Sequence, residues 1–73
     1  MTVKDAKVGS TVKIVAIEDS PLKQRLMSMG LIPNTRLEIL RSAPLGDPIA
    51  IRLRAYNLAL RRDDAAKIIV TEV

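Results

Sequence analysis

The residues that could do chemistry are few, and their types narrow the field at once. Neither cysteine nor histidine occurs in the 73 residues. That removes thiol nucleophiles, imidazole acid–base catalysis and the usual ligands for zinc and other borderline metals. No glycine-rich phosphate cradle and no nucleophile–base pair is present. Asp19, Asp47, Asp63 and Asp64 are the aspartates beyond the N-terminal stretch. Adjacent Asp63 and Asp64 could hold a hard cation, but an acidic pair ahead of Ala65-Ala66 reads first as the start of a helical turn. The expectation is a chain without catalytic residues and without a cofactor, with at most weak, transient carboxylate contact to a divalent metal.

The arginines carry more information. Twelve Lys and Arg stand against eight Asp and Glu, a formal net charge of +4, which favours acidic partners of any kind. Arg52 and Arg54 alternate with apolar neighbours. With Arg61 they are expected on the outward side of one hairpin, with Arg36, Arg41 and Arg62 extending the patch. The competing reading is a solvated strand face whose charge deters edge pairing. A single aromatic residue, Tyr56, cannot build a base-stacking platform, so nucleic acid could be held only through its backbone.

Three apolar residues fall outside an obvious core pattern. Met27 lies roughly 140° around a helix from Leu22, counting 100° per residue. Leu45 sits in a Pro/Gly loop, and Leu31 follows Gly30. Met27, Leu31 and Leu45 are expected to form an apolar contact patch, with Arg52, Arg54 and Arg61 as a separate face that steers an acidic partner. The alternative is that Leu31 and Leu45 seal the end of the core.

The elements that must position these residues are short. Hydrophobic residues make up 48% of the chain, too many for a disordered segment, and with one tyrosine the core has to be aliphatic. One domain over residues 1–73 is expected. Val12–Ile17 reads as a strand with Val12, Ile14 and Ala16 on one face, although Val15 and Ile17 make the other face apolar too. Ser20-Pro21 predicts a helix from Pro21 to Met29 with Ser20 as N-cap. Leu22, Leu26 and Met29 share its inner stripe, and Gly30 is its left-handed C-terminal cap. Pro33-Asn34 suits the middle of a type II turn.

Arg36–Arg41, Ile49–Arg54 and Ile68–Val73 read as further strands. Between them, Leu58 and Leu60 must join the inward face of Ile49, Ile51 and Leu53. Pairing Leu53 with Leu58 predicts a two-residue loop at Ala55-Tyr56. About five short strands with one short inserted helix make a mainly β chain, whose simplest closure is a small SH3-like barrel. No apolar run reaches the ~20 residues of a membrane span, and no leader pattern opens the chain, so a protein that remains where it is made is expected.

Three stretches then point to a family. Leu26-Met27-Ser28-Met29-Gly30-Leu31-Ile32-Pro33 resembles the L-x-x-[LM]-G-[LI]-x-P signature of the ferrous iron transport protein A (FeoA) family. Ala43–Ile49 is similar to the family's second signature and Tyr56–Arg61 to its third, so the resemblance spans the chain. It implies an SH3-like fold and a small, cytoplasmic, non-enzymatic accessory or regulator of bacterial ferrous iron uptake. The implied partner is a membrane ferrous iron permease with a cytosolic GTP-binding domain, which would hold the chain at the inner membrane without direct insertion. Similar domains occur as regulatory modules of iron-dependent repressors, which is one alternative. A nucleic-acid-binding SH3-like module and a GTPase activator using an exposed arginine are others. Two positions depart from the family's usual glycines: Asn34, which can still adopt positive φ, and Ala55.

Overall fold

Strand formation follows the aliphatic alternation. The computed structural model describes residues 1–73, with strands β1 (Thr11–Ile17), β2 (Arg36–Ser42), β3 (Ile49–Arg52), β4 (Asn57–Leu60) and β5 (Ile68–Glu72). Helix α1 (Lys23–Ser28) lies between β1 and β2, and the single turn α2 (Arg62–Ala65) lies between β4 and β5. All pairings are antiparallel, in the order β4-β3-β2-β1-β5. Fifteen side chains form one core, all of them aliphatic, and no polar residue is buried with them. The protein is therefore mainly β, as the alternation predicts.

Two bulges, between Ile14 and Ala16 in β1 and between Ile39 and Arg41 in β2, interrupt adjacent strands. Bulges bend a strand and raise its twist, and here the curled sheet encloses its core within 27 × 23 × 23 Å. The bulge in β1 also settles the facing that two apolar sides left open. Ile14 pairs with Val70, but past Val15 the register steps, so Ile17 pairs with Ile68. Ile17 is buried while Ala16 is only half-buried and Val15 is exposed. The inward set is thus Val12, Ile14 and Ile17, a correction to the expected Val12, Ile14 and Ala16 produced by the extra residue.

The free edge of β5 is covered from the N-terminus. Thr2 bridges Ile69, the Val3 N–H donates to the Ile68 carbonyl at 3.0 Å, and the Val70 N–H donates to the Met1 carbonyl at 2.9 Å. Val3 is completely buried in the process. Pairing an edge in this way removes a template for aggregation.

The hairpin register differs from the expected one by two residues. Ile51 faces Leu58 and Ile49 faces Leu60, with Arg52 opposite Asn57. The connection is therefore Leu53–Tyr56, four residues, in which the Leu53 N–H donates to the Tyr56 carbonyl at 2.8 Å. A two-residue slip preserves side-chain parity, so the hydrophobic pattern could not tell the registers apart. Ala55 is not among the residues with positive φ. The longer loop makes no demand for glycine there.

Candidate partner-binding surface

Helix α1 begins later than Ser20-Pro21 suggests. Its N-cap is Leu22, with no side-chain cap bond. The Ser20 carbonyl accepts the Lys23 N–H at 3.1 Å, closing a turn before the helix. The Ser20 hydroxyl is turned inward and has no hydrogen-bond partner. Proline at the next position thus starts a turn here rather than the helix itself.

The C-terminus of α1 follows expectation closely. Gly30 has φ +96°. The Gly30 N–H donates to the Met27 carbonyl at 3.0 Å and the Leu31 N–H to the Leu26 carbonyl at 3.2 Å. These are the two bonds of a Schellman motif, which usually carries a hydrophobic contact between the residues at its ends. Leu26 and Leu31 are both core residues. The turn that follows also matches: Asn34 has φ 73° and the Thr35 N–H donates to the Ile32 carbonyl at 3.2 Å.

This geometry corrects the apolar patch. Leu31 is 0% exposed, because the Schellman turn drives it inward, so it cannot meet a partner. Met27 is half-buried and packs against the core instead of projecting from it. Both Met27 and Met29 reach the core's margin. Leu45 alone is presented: it is 96% exposed.

Leu45 is also held. It lies in a 3-10 turn, Pro44–Gly46, with φ 68° and ψ 11°, a left-handed conformation that costs a leucine about 1 kcal/mol. Around it the Gly46 N–H donates to the Ala43 carbonyl at 2.8 Å and the Ala43 N–H to the Pro48 carbonyl at 2.9 Å, with a cis Asp47–Pro48 bond closing the loop. Asp47 Oδ1 accepts the backbone N–H of Arg62 at 3.1 Å. Arg62 opens α2, so a loop carboxylate supplies the N-terminal acceptor that Arg61 does not. The sequence pattern marks Asp47 only as a turn former. A capping acceptor fifteen residues away leaves no local signal.

The arginines divide. Arg52 and Arg54 share a shallow depression with Arg36, and Arg52 Nη1 lies 3.4 Å from Glu38 Oε1. Arg61 is elsewhere. It lines a groove of about 650 Å³ between α1 and the β4–α2 corner, whose floor includes Leu22, Leu26 and Met29. The expected single face of Arg52, Arg54 and Arg61 is corrected to two, because Arg61 follows the end of β4 and turns with α2. Asp63 and Asp64 both fall in the first turn of α2. No three acidic side chains gather anywhere in the structure.

A family model described as FeoA domain matches residues 1–72. The chain belongs to the FeoA family. A fusion of Fe(2+) transport protein A with Fe(2+) transporter FeoB from Porphyromonas gingivalis is 35% identical over 69 residues, which are 93% of this FeoA-family chain. The chain spans only 8% of that relative's length. The NMR structure of an FeoA-like protein from Clostridium acetobutylicum superposes with a TM-score of 0.93 at 36% identity, over 100% of this chain and 86% of that one. FeoA from Stenotrophomonas maltophilia, solved with zinc and described as a prokaryotic SH3 domain protein, shares the fold with a TM-score of 0.86 at 18% identity, over 97% and 89% of the two chains. A manganese-dependent transcriptional repressor contains the same fold, with a TM-score of 0.90 at 19% identity over 100% of this chain and 41% of that one. The FeoA fold is thus an SH3-like one, and the glycine of the first FeoA signature is the Schellman residue Gly30.

Proposed function

We propose that this FeoA-family chain is a non-enzymatic accessory of ferrous iron uptake, docking on the cytosolic side of a membrane Fe(2+) transporter at its GTP-binding domain. The observation that carries the reading is the relative in which an FeoA chain and an FeoB transporter form one polypeptide. Fusion keeps two partners at high effective concentration, an advantage only if they work together.

The surface suits such a contact. Leu45 contributes nothing to the core, yet its loop is braced by two backbone bonds and by Asp47. Burying a leucine on a partner is worth about 2–3 kcal/mol, and a pre-ordered anchor loses little entropy on binding. Arg62 lies beside this loop, its guanidinium about 4 Å from where a side chain on Gly46 would begin, and could meet acidic groups around the anchor's pocket. Iron in this reading is the transporter's cargo. The chain acts by contact and holds no resident metal.

The test is co-purification of the chain with the transporter from the host membrane, together with ferrous iron uptake in a deletion strain. Recovery with the transporter, and uptake restored by the wild-type gene but not by Leu45→Asp, is the expected result. Unchanged uptake on deletion under iron limitation would end the proposal.

A further inference from the structure

The strand register collects positive charge on the outer face of the sheet. Lys13 of β1 pairs with Arg36 of β2, and Glu38 of β2 pairs with Arg52 of β3. Beyond the bulge in β2, Arg41 pairs with Ala50, which is on the same face as Arg52. Arg54 lies in the same depression as Arg36 and Arg52. Paired residues point to the same side of a sheet, so Lys13, Arg36, Arg41, Arg52 and Arg54 share one surface with a single carboxylate, Glu38. That carboxylate is committed to Arg52, the one ion pair in the structure. The other four cations have no partner.

The neutral residues in these rows, Thr11, Ala50, Asn57, Ala59 and Thr71, are small or polar, and the exposed apolar residues Val15 and Ile69 lie outside them, at the bulged end of the β1–β5 pair. The rows therefore offer charge without an apolar anchor. Protein interfaces concentrate their energy in buried anchors, and single-stranded nucleic acid needs stacking aromatics. The cationic rows supply neither. What they match is an extended anionic surface that attracts by its field.

We propose that the outer face formed by Lys13, Arg36, Arg41, Arg52 and Arg54 rests on anionic phospholipid headgroups, as a peripheral electrostatic contact without insertion. Arg52 and Arg54 then steer the chain to the bilayer itself, while Leu45 remains free for a protein. The inference does not depend on the proposed transporter contact, since it concerns the isolated chain and lipid. Each cation held near such a surface strengthens partition by roughly five-fold, and the attraction fades once salt shortens the screening length.

The experiment is co-sedimentation of the purified full chain with vesicles of phosphatidylglycerol diluted in phosphatidylcholine, at about 0.1 M salt and again near 1 M. Arg36→Gln/Arg54→Gln removes two unpaired, exposed cations, so folding is kept, as circular dichroism will show. Partition should fall by about twenty-five-fold. Lys23→Gln/Arg25→Gln makes the same change of net charge on α1, outside the strand rows, and should alter partition by no more than about three-fold. Binding to the anionic vesicles, absence from pure phosphatidylcholine and release at high salt would support the proposal. No partition at the lower salt, equal losses in the two double variants, or tighter capture by duplex DNA or by a polyglutamate peptide than by the vesicles would each overturn it.

Discussion

The Tyr56 hydroxyl occupies the space where a side chain on residue 30 would begin. A Cβ built on Gly30 would lie 2.6 Å from that oxygen and 3.7 Å from Tyr56 Cζ. The cap of α1 and the loop after β3 therefore meet where one residue lacks a side chain and the other has the chain's only aromatic ring. Tyr56 is 43% exposed, so its ring lies over the helix end with one side in water.

Gly30→Ala carries two costs, a positive φ that alanine resists and a contact with the hydroxyl. The expected loss is about 1–3 kcal/mol by thermal or urea unfolding. In a Tyr56→Phe background the contact with the oxygen disappears while the φ cost remains. The same substitution should then cost less. Equal costs in both backgrounds would show that the tyrosine moves aside freely.

Leu31 and Leu45 should separate cleanly. Leu31→Ala empties a fully buried site and should destabilise the domain by about 2–5 kcal/mol. Leu45→Ala removes a side chain that touches almost nothing and should leave the melting temperature within about 2 °C while impairing uptake. A fall in stability for Leu45→Ala would make it a structural residue.

Ser20 tests the start of α1. Were it the N-cap, alanine would cost about 1 kcal/mol. The structure leaves its hydroxyl buried without a partner, a state that itself costs about 1–3 kcal/mol. Ser20→Ala is therefore expected to be neutral or stabilising in chemical denaturation, and a clear loss would restore the cap.

Asp47 caps α2 from a distance. Asp47→Ala should cost about 1 kcal/mol, while Asp47→Asn keeps an acceptor for the Arg62 N–H and should cost less. Because the same bond braces the Leu45 loop, Asp47→Ala is expected to weaken transporter co-purification as well. Retention of full binding would uncouple loop and helix.

Acid should loosen the N-terminal turn. Asp5 accepts the Thr2 N–H at 3.2 Å and the Thr2 hydroxyl at 3.1 Å. The backbone bond first, then the hydroxyl bond, hold its carboxyl below the usual aspartate range. A depressed value stabilises the fold above the unfolded-state pKa, and that contribution is lost as pH falls through the folded-state value. Asp5→Asn should accordingly flatten the acid limb of stability against pH. An unchanged profile would leave the turn without a role.

Alternation and helical spacing are local, so they locate the five strands, helix α1 and the aliphatic character of the core, while the turn α2 is marked by Asp63-Asp64 ahead of two alanines. Gly30 and Asn34 were legible for the same reason, since each answers a backbone need set by its immediate neighbours. The facing of β1, the length of the loop after β3 and the start of α1 were decided by the assembled sheet. A bulge changes parity and shows in β1 only as apolar residues on both faces, whereas a two-residue slip leaves no mark in the hydrophobic pattern. The candidate surface depended most on tertiary structure. Leu31 was drawn into the core by the helix cap, Arg61 left its expected companions as the chain turned into α2, and Lys13 of β1 joined Arg36, Arg41, Arg52 and Arg54 through strand pairing. Charge density on a face is a property of strand register, and register is fixed by contacts between residues far apart in the chain.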